Sequence, residues 1–356
     1  MKLNFLFYSV MQYDGYGRYS PYLIRALRRA GVTVIPHFIG AADAPDWLRN
    51  EWGIDWTIPT ISCLPPFYLR KVPGRHWLIT MTEGSDLPLG WREIIESCNV
   101  DHLIVPCQHN AEAFARGGVA CPISVIPGGT DPDEFPLRTD RRSTIEPYTF
   151  LCLADRGDRK GWYEVYAAFY KAFGGKTTGV QDVRLIIKAR PTANRFLDRI
   201  ATAEGLDKRL VFMREDYDDM AELYALADCV AIPSRSEGWG MPQREAAMMG
   251  LPVITQAYAG LDDGHTHEWA IVVAGGPEVK IAADEGSHVK GMYRLCDVDD
   301  LATRMRFLYD NPSYGVEYGQ HAAAWLRTNQ TWDHSAARLI ALLQQEGVFE
   351  PERELA

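Results

Sequence analysis

The stretch 234–255, SRSEGWGMPQREAAMMGLPVIT, limits the possible folds of this chain more than any other. Cys229 to Pro233, just before it, is a short apolar run of strand type, and Leu251 to Thr255 at its end is a second. Between them Gly238 and Gly240 break the chain, and Pro242 suits the first helical position, where its missing N–H costs nothing. Gln243 to Met249 are mostly good helix formers, and Gly250 is a natural helix stop. The order is therefore strand, glycine-rich loop, short helix, strand. Where such a loop meets a helix start, free backbone N–H groups converge with the positive end of the helix dipole, and an anion is welcome.

Two carboxylates flank that loop. Glu237 reads as ending the strand and facing the same crevice, and Glu245 as lying in the first helical turn, where the dipole alone would suit its charge. Together they make sense beside a ligand that carries hydroxyls next to phosphates, and a nucleotide sugar carries both. Glu237 and Glu245, with Gly-Trp-Gly-Met-Pro following the first and Ala-Ala-Met-Met-Gly-Leu-Pro-Val following the second, resemble the paired-glutamate motif of the family-4 glycosyltransferases. These are retaining enzymes of the GT-B architecture. The resemblance implies that Glu237 lies near the donor sugar hydroxyls and Glu245 near the ribose. It also implies that the loop Gly238, Trp239, Gly240, Met241 and Pro242 holds the diphosphate and sugar.

At 356 residues the chain is long for one core and predicts two domains. Its 47% hydrophobic and 24% charged residues are those of a soluble globular protein. The net charge of −10 argues against nucleic-acid binding and against an overall docking surface for anionic membranes, which leaves peripheral membrane contact at most. Arg25, Arg28 and Arg29 cluster on one early helix and read as a solvated face. The seven cysteines form no C-x-x-C pair and read as reduced thiols. Met1 to Val10 is too short for a signal peptide and no run of 18 apolar residues occurs, so a cytoplasmic protein is expected.

Along the chain, Leu3 to Val10 reads as a strand, Ser20 as a helix cap with Pro21 at the first helical position, and Val32 to Phe38 as the next strand. Gly15-x-Gly17 invites a dinucleotide-binding reading, but Ser20 replaces the third glycine and no acidic residue ends the second strand. The family's first loop meets acceptor and diphosphate, which marks Gly17 as donor-binding. Residues 41–62, with Trp47, Trp52 and Trp56, read as a short helix and loop. Trp77 to Met81 is a strand ending at Thr82-Glu83-Gly84-Ser85-Asp86. Many relatives carry a histidine or aspartate there, facing the acceptor, and this chain offers Glu83 or Asp86.

In the second half the strand Phe150 to Ala154 leads into Asp155-Arg156-Gly157-Asp158-Arg159-Lys160-Gly161. Arg156 and Lys160 stand where a further anion-binding loop is expected, and the resemblance implies that they grip the donor diphosphate. Arg159 is the alternative to Arg156 in that role. Arg190, after the strand Val183 to Ala189, either faces the crevice or caps the strand. Asp262 to His267 holds two histidines but no third ligand at defined spacing, so a solvated loop is preferred to a metal site. Asp131-Pro132-Asp133 reads as a proline turn.

Strand–helix alternation, with anion-type loops at 11–20, 155–161 and 234–242, predicts an α/β chain of GT-B architecture: two Rossmann-like doubly wound domains facing a cleft. Residues 1–140, joined by a terminal crossover helix at about 330–356 that begins near Trp332, form the acceptor-side domain, and 148–329 the donor domain. The expected activity is retaining transfer of a sugar from a nucleotide-diphosphate sugar to a glycan, lipid-linked or small-molecule acceptor, as in polysaccharide biosynthesis. Neither a metal nor a resident cofactor is expected. Two readings stand beside it: a NAD-dependent Rossmann-fold oxidoreductase, and a catalytically inactive nucleotide-sugar-binding module.

Overall fold

A computed structural model describes residues 2–9, 15–39, 54–138, 147–154, 157–189, 207–215, 217, 219–281 and 289–348. Contacts divide the chain into two compact units, 1–131 with 287–290 and 329–356, and 132–286 with 291–328. The expected linker Arg138 to Pro147 falls almost wholly outside the described residues.

The first unit contains β1 (Lys2–Phe7), α1 (Gly15–Arg29), β2 (Thr33–Phe38), β3 (Thr60–Cys63), β4 (His76–Ile79), α2 (Trp91–Ser97), β5 (His102–Val105), α3 (Gln108–Arg116) and β6 (Ile123–Val125). Its strands form one sheet in the order β2-β1-β3-β4-β5-β6, parallel throughout. Every residue of β3, β4 and β5 is buried, as in a parallel sheet covered on both faces.

Two local readings need correction. Helix α1 begins at Gly15, so Pro21 lies inside it and Ser20 is no cap. The proline lacks the N–H that would reach the Gly17 carbonyl. Burial of Tyr19, and a bond from the Met81 amide to the Tyr16 hydroxyl at 3.0 Å, hold the extra turn against that loss. The second correction is β3, read from sequence as part of a helix and loop. Thr-Ile-Ser-Cys is too short and too polar to show a strand period, yet it sits inside the sheet between β1 and β4. Trp47 and Trp52 lie outside the described residues.

The second unit runs through β7 (Tyr148–Leu153), α4 (Trp162–Phe173), β8 (Val183–Lys188), β9 (Leu210–Met213), α5 (Met220–Ala225), β10 (Cys229–Ala231), α6 (Met241–Met248), β11 (Val253–Gln256), α7 (Thr266–Trp269), β12 (Ile271–Val273), β13 (Gly275–Lys280), β14 (Met292–Cys296), α8 (Val298–Asp310) and α9 (Pro312–Asn329). Its main sheet has the order β12-β11-β10-β7-β8-β9, again all parallel, and β13 pairs antiparallel with β14. Trp162, Val165 and Phe169 of α4 pack with Phe150, Leu185 and Ile187 in one core, and Leu151, Val230, Ala246, Met248 and Trp269 pack in another. Each such buried side chain contributes on the order of 2 kcal/mol.

The last helix, α10 (Trp332–Gln345), returns to the first unit. Trp332 stacks on Tyr22 at 5.6 Å and meets the edge of Tyr19 at 4.6 Å, both on α1. A capping box between Thr331 and His334 starts the helix, and Glu346 beyond its end accepts from Trp77 Nε1 at 3.1 Å.

Strand order fixes where ligands belong. In the first unit winding reverses between β1 and β3, and in the second between β7 and β10. Open parallel sheets bind ligands outside the carboxyl ends of the strands at such a reversal.

Candidate functional site

Two loops meet at the reversal between β7 and β10. After β7, Gly157–Lys160 forms a 3-10 turn, and the chain leaving β10 passes Ser234 and Glu237. The Arg235 amide donates to the Arg159 carbonyl at 2.7 Å, which ties the loops together. Gly161 permits this approach: its φ is +72°, and a Cβ there would lie 2.5 Å from the Pro233 carbonyl oxygen.

Glu237 is the centre of the junction and only 4% exposed. Its Oε2 accepts from Arg159 Nη1 at 2.7 Å, and its Oε1 accepts from Lys160 Nζ and Ser234 Oγ, each at 2.6 Å. Arg159 also donates to the Ser236 carbonyl at 2.8 Å, and Gln243 Nε2 of α6 donates to Ser234 Oγ at 3.1 Å. Burial alone would raise the Glu237 pKa, but the adjacent Arg159 and Lys160 outweigh it and hold the carboxyl well below the ordinary 4.5. Glu237 is thus an anion at any physiological pH. Two cations and one carboxylate leave the triad with one positive charge in excess. Lys160, with its side chain 12% exposed, is its most open member. Asp158 is held by Trp162 Nε1 at 3.2 Å.

Gly240, in the left-handed region at φ +78°, brings the loop into α6 without a side-chain cap on the helix start. The first N–H groups of α6 therefore offer themselves to an anion. Met241 is the first helical residue, so Pro242 is second and Glu245 falls in the second turn rather than the first. Glu237 likewise lies well past β10, which ends at Ala231, instead of closing the strand. The helix starts one residue earlier than Pro242 suggests, and the strand ends well before Glu237. The buried Glu245 accepts from the Tyr224 hydroxyl of α5 at 2.8 Å.

Sequence reasoning missed Arg244. Fully buried, it lies with its guanidinium 3.7 Å from the Trp239 ring centre and 4.5 Å from that of Trp269. It donates to the Trp239 and Gly260 carbonyls and to Asp263 Oδ2, the last at 2.8 Å. The side chain thereby fastens the glycine-rich loop to the chain beyond β11. Trp239 faces this guanidinium and is buried, so its indole supports the loop from behind. No spacing rule links residues 239, 244, 263 and 269; the one available signal was a charged residue on a helix buried all round. Asp263 is a partner of Arg244, and among the described residues no three His, Cys, Asp or Glu side chains group as metal ligands.

Met241 is buried in the first turn of α6. Arg156 and Arg190 lie outside the described residues. Arg159, the alternative to Arg156, pairs with Glu237. Gly17, in the first turn of α1, and Glu83, half-buried beyond β4, belong to the carboxyl edge of the first unit's sheet.

Residues 149–310 match the family model for glycosyl transferases, group 1. The chain is 25% identical over 302 residues to a GDP-mannose-dependent monoacylated alpha-(1-6)-phosphatidylinositol monomannoside mannosyltransferase of Corynebacterium glutamicum, covering 78% of this chain and 72% of that one. It is 37% identical over 235 residues to a D-inositol 3-phosphate glycosyltransferase of Xylanimonas cellulosilytica, covering 60% of this chain but only 53% of the relative. A sucrose-phosphate synthase of Thermosynechococcus elongatus superposes with a TM-score of 0.70 at 16% identity, over 98% of this chain and 99% of that one. At that identity the likeness establishes the fold, and the fold is GT-B.

Proposed function

We propose that this chain, a group 1 glycosyltransferase, moves a sugar from a nucleotide-diphosphate-sugar donor to an acceptor hydroxyl, with retention of anomeric configuration and without a divalent metal. The observation that carries the reading is the Arg159–Glu237–Lys160 cluster, with its excess positive charge beside the uncapped start of α6. A departing nucleoside diphosphate gains negative charge as its bond to the anomeric carbon breaks. Fixed cations and backbone N–H groups strengthen their hold as that charge grows, so they lower the barrier and do more than tighten binding.

In the proposed step the anomeric carbon–oxygen bond to the diphosphate breaks while the acceptor oxygen bonds to the same face of the sugar. The acceptor proton passes to the leaving phosphate oxygen. Lys160 stabilises the diphosphate, Arg159 is held behind it by Glu237, and the 238–242 loop supports the phosphate and sugar. Glu245 is assigned to the ribose. Residues 148–329 serve the donor and residues 1–140 with 330–356 the acceptor, taken to be a carbohydrate or lipid-linked glycan as the relatives' names suggest. Lys160 and Arg159 supply the charge that a metal ion supplies in other transferases. None of the seven cysteines is in a disulfide, which supports a reducing, cytoplasmic setting. Among the described residues no helix is long and apolar enough to cross a membrane.

A nicotinamide reading would need a carboxylate at the end of β2, where His37 and Phe38 stand and His37 bonds Asn4 at 3.0 Å. Turnover with a panel of nucleotide sugars, followed by proton NMR of the first-formed product, tests the proposal. An α-linked donor is expected to give an α-linked product. A β-linked product refutes retention, and a chain that neither binds nor turns over any nucleotide sugar refutes the whole reading.

A further inference from the structure

We infer that the first unit carries an aromatic platform at the reversal between β1 and β3, and that it binds the pyranose ring of a carbohydrate acceptor. The inference rests on the assignment of this unit to the acceptor. Tyr8 leaves the end of β1, and Phe67 and Tyr68 leave the end of β3. Tyr8 and Tyr68 stack with ring centres 4.5 Å apart and planes 21° from parallel. Phe67 tilts against Tyr68 at 4.5 Å, and Tyr16 at the start of α1 meets Tyr8 edge-on at 5.8 Å. Four aromatic rings from three elements therefore converge where an open parallel sheet receives its ligand.

Tyr8 packs against the core around Leu64 and Leu78, but burial does not account for Phe67 and Tyr68. Phe67 is 50% exposed and Tyr68 45%, whereas Trp91, which Phe67 touches at 6.4 Å, is sunk in the core at 5%. The rings are nonetheless held in place. Pro65 and Pro66 pre-set the turn that presents Phe67 and Tyr68, so little side-chain and backbone freedom remains to be lost on binding.

A pyranose ring suits such a surface because its C–H face is apolar and weakly positive, and the faces of aromatic rings are negative. Its rim needs hydroxyl partners. The Tyr16 hydroxyl lies 3.0 Å from Thr80 Oγ1 and accepts from the Met81 amide at 3.0 Å, and the chain continues to the half-buried Glu83. A phosphate would instead want cations and unfilled N–H groups, the chemistry of the second unit.

Saturation-transfer NMR on the intact chain tests this, with the methyl α- and β-pyranosides of glucose, mannose, galactose and N-acetylglucosamine as probes and myo-inositol 1-phosphate as the phosphate-bearing arm. At least one pyranoside is expected to receive saturation on its ring C–H protons. Replacing both rings, Phe67→Ala with Tyr68→Ala, should weaken that binding by about tenfold, the scale of lost aromatic contacts. Tyr68→Trp should retain it, which separates loss of the platform from loss of the fold. Saturation of myo-inositol 1-phosphate alone, of no pyranoside, or of a pyranoside equally in wild type and double variant overturns the inference. Hydrolysis of nucleotide sugars by the wild-type chain is read separately: its absence counts against the proposed function, whereas hydrolysis without pyranoside binding counts against the platform alone.

Discussion

At its winding reversal the second unit gathers an arginine, a lysine and a glutamate with little exposure, while the first unit leaves Phe67 and Tyr68 about half exposed at the equivalent place in its own sheet. The topological position is the same and the chemistry is opposite. Buried charges survive only when each is paired and hydrogen-bonded, so Glu237 and Arg159 constrain each other, whereas loss of the more open Lys160 leaves that pair intact. Exposed rings impose no such mutual condition. The contrast suits a fixed diphosphate on one side and a variable acceptor on the other.

The sharpest way to break the comparison is Glu237→Ala. Removing this carboxylate leaves Arg159 buried without its counter-charge, a loss of about 3–5 kcal/mol in stability by analogy with other buried pairs, together with a deep fall in kcat. Denaturant unfolding and steady-state kinetics check both, and a wild-type profile would mean that the cluster is not coupled. Next in size, Lys160→Ala should lower kcat by about 100-fold or more, the scale of removing one stabiliser of a developing anion, with little change in unfolding. In contrast, Glu245→Gln should act mainly on donor KM, since a ribose contact is equal in ground and transition states. A kcat defect as large as that of Lys160→Ala would undo this division of roles.

Arg244 tests the loop itself, because its fully buried side chain holds the loop through Trp239. Arg244→Met is expected to raise donor KM by about tenfold through a loosened 238–240 loop that has lost its tie to Asp263. Arg244→Lys should not restore it, for an ammonium cannot reproduce the planar contact with two tryptophans. Full rescue by lysine would show that charge alone matters.

An effect on stability alone concerns His76 in the first unit. Burial, only partly offset by the Cys98 backbone and Asp101, lowers its pKa from 6.5 to about 4. Between those values the unfolded chain binds a proton that the folded chain refuses, so stability should rise with pH across that window, by on the order of 3 kcal/mol at most. His76→Gln should flatten the slope between urea melts at pH 4.5 and pH 7. An unchanged slope would place the titration elsewhere.

The paired-glutamate stretch was legible because its signals are local: glycines that turn the chain, a helix stop and flanking apolar runs lie within about one helix and two strands of sequence. The fold class followed from the same alternation. What escaped was decided by contacts distant in sequence. Strand β3 is a strand because β1 and β4 flank it, α1 begins early because Tyr16 and Tyr19 find partners, and Arg244 matters because Trp239, Trp269 and Asp263 surround it. The contact of Arg159 with Glu237 showed only once the turn at 157–160 aimed its guanidinium there. The aromatic platform left no motif at all, since Tyr8, Tyr16 and Tyr68 meet only through strand order.

The central claim is that side chains and backbone N–H groups of the second unit stabilise the leaving diphosphate unaided. Release of nucleoside diphosphate from the accepted nucleotide sugar, followed in excess EDTA, measures this directly. The rate should match that in untreated buffer; loss of release in EDTA that Mg²⁺ or Mn²⁺ restores would contradict the account.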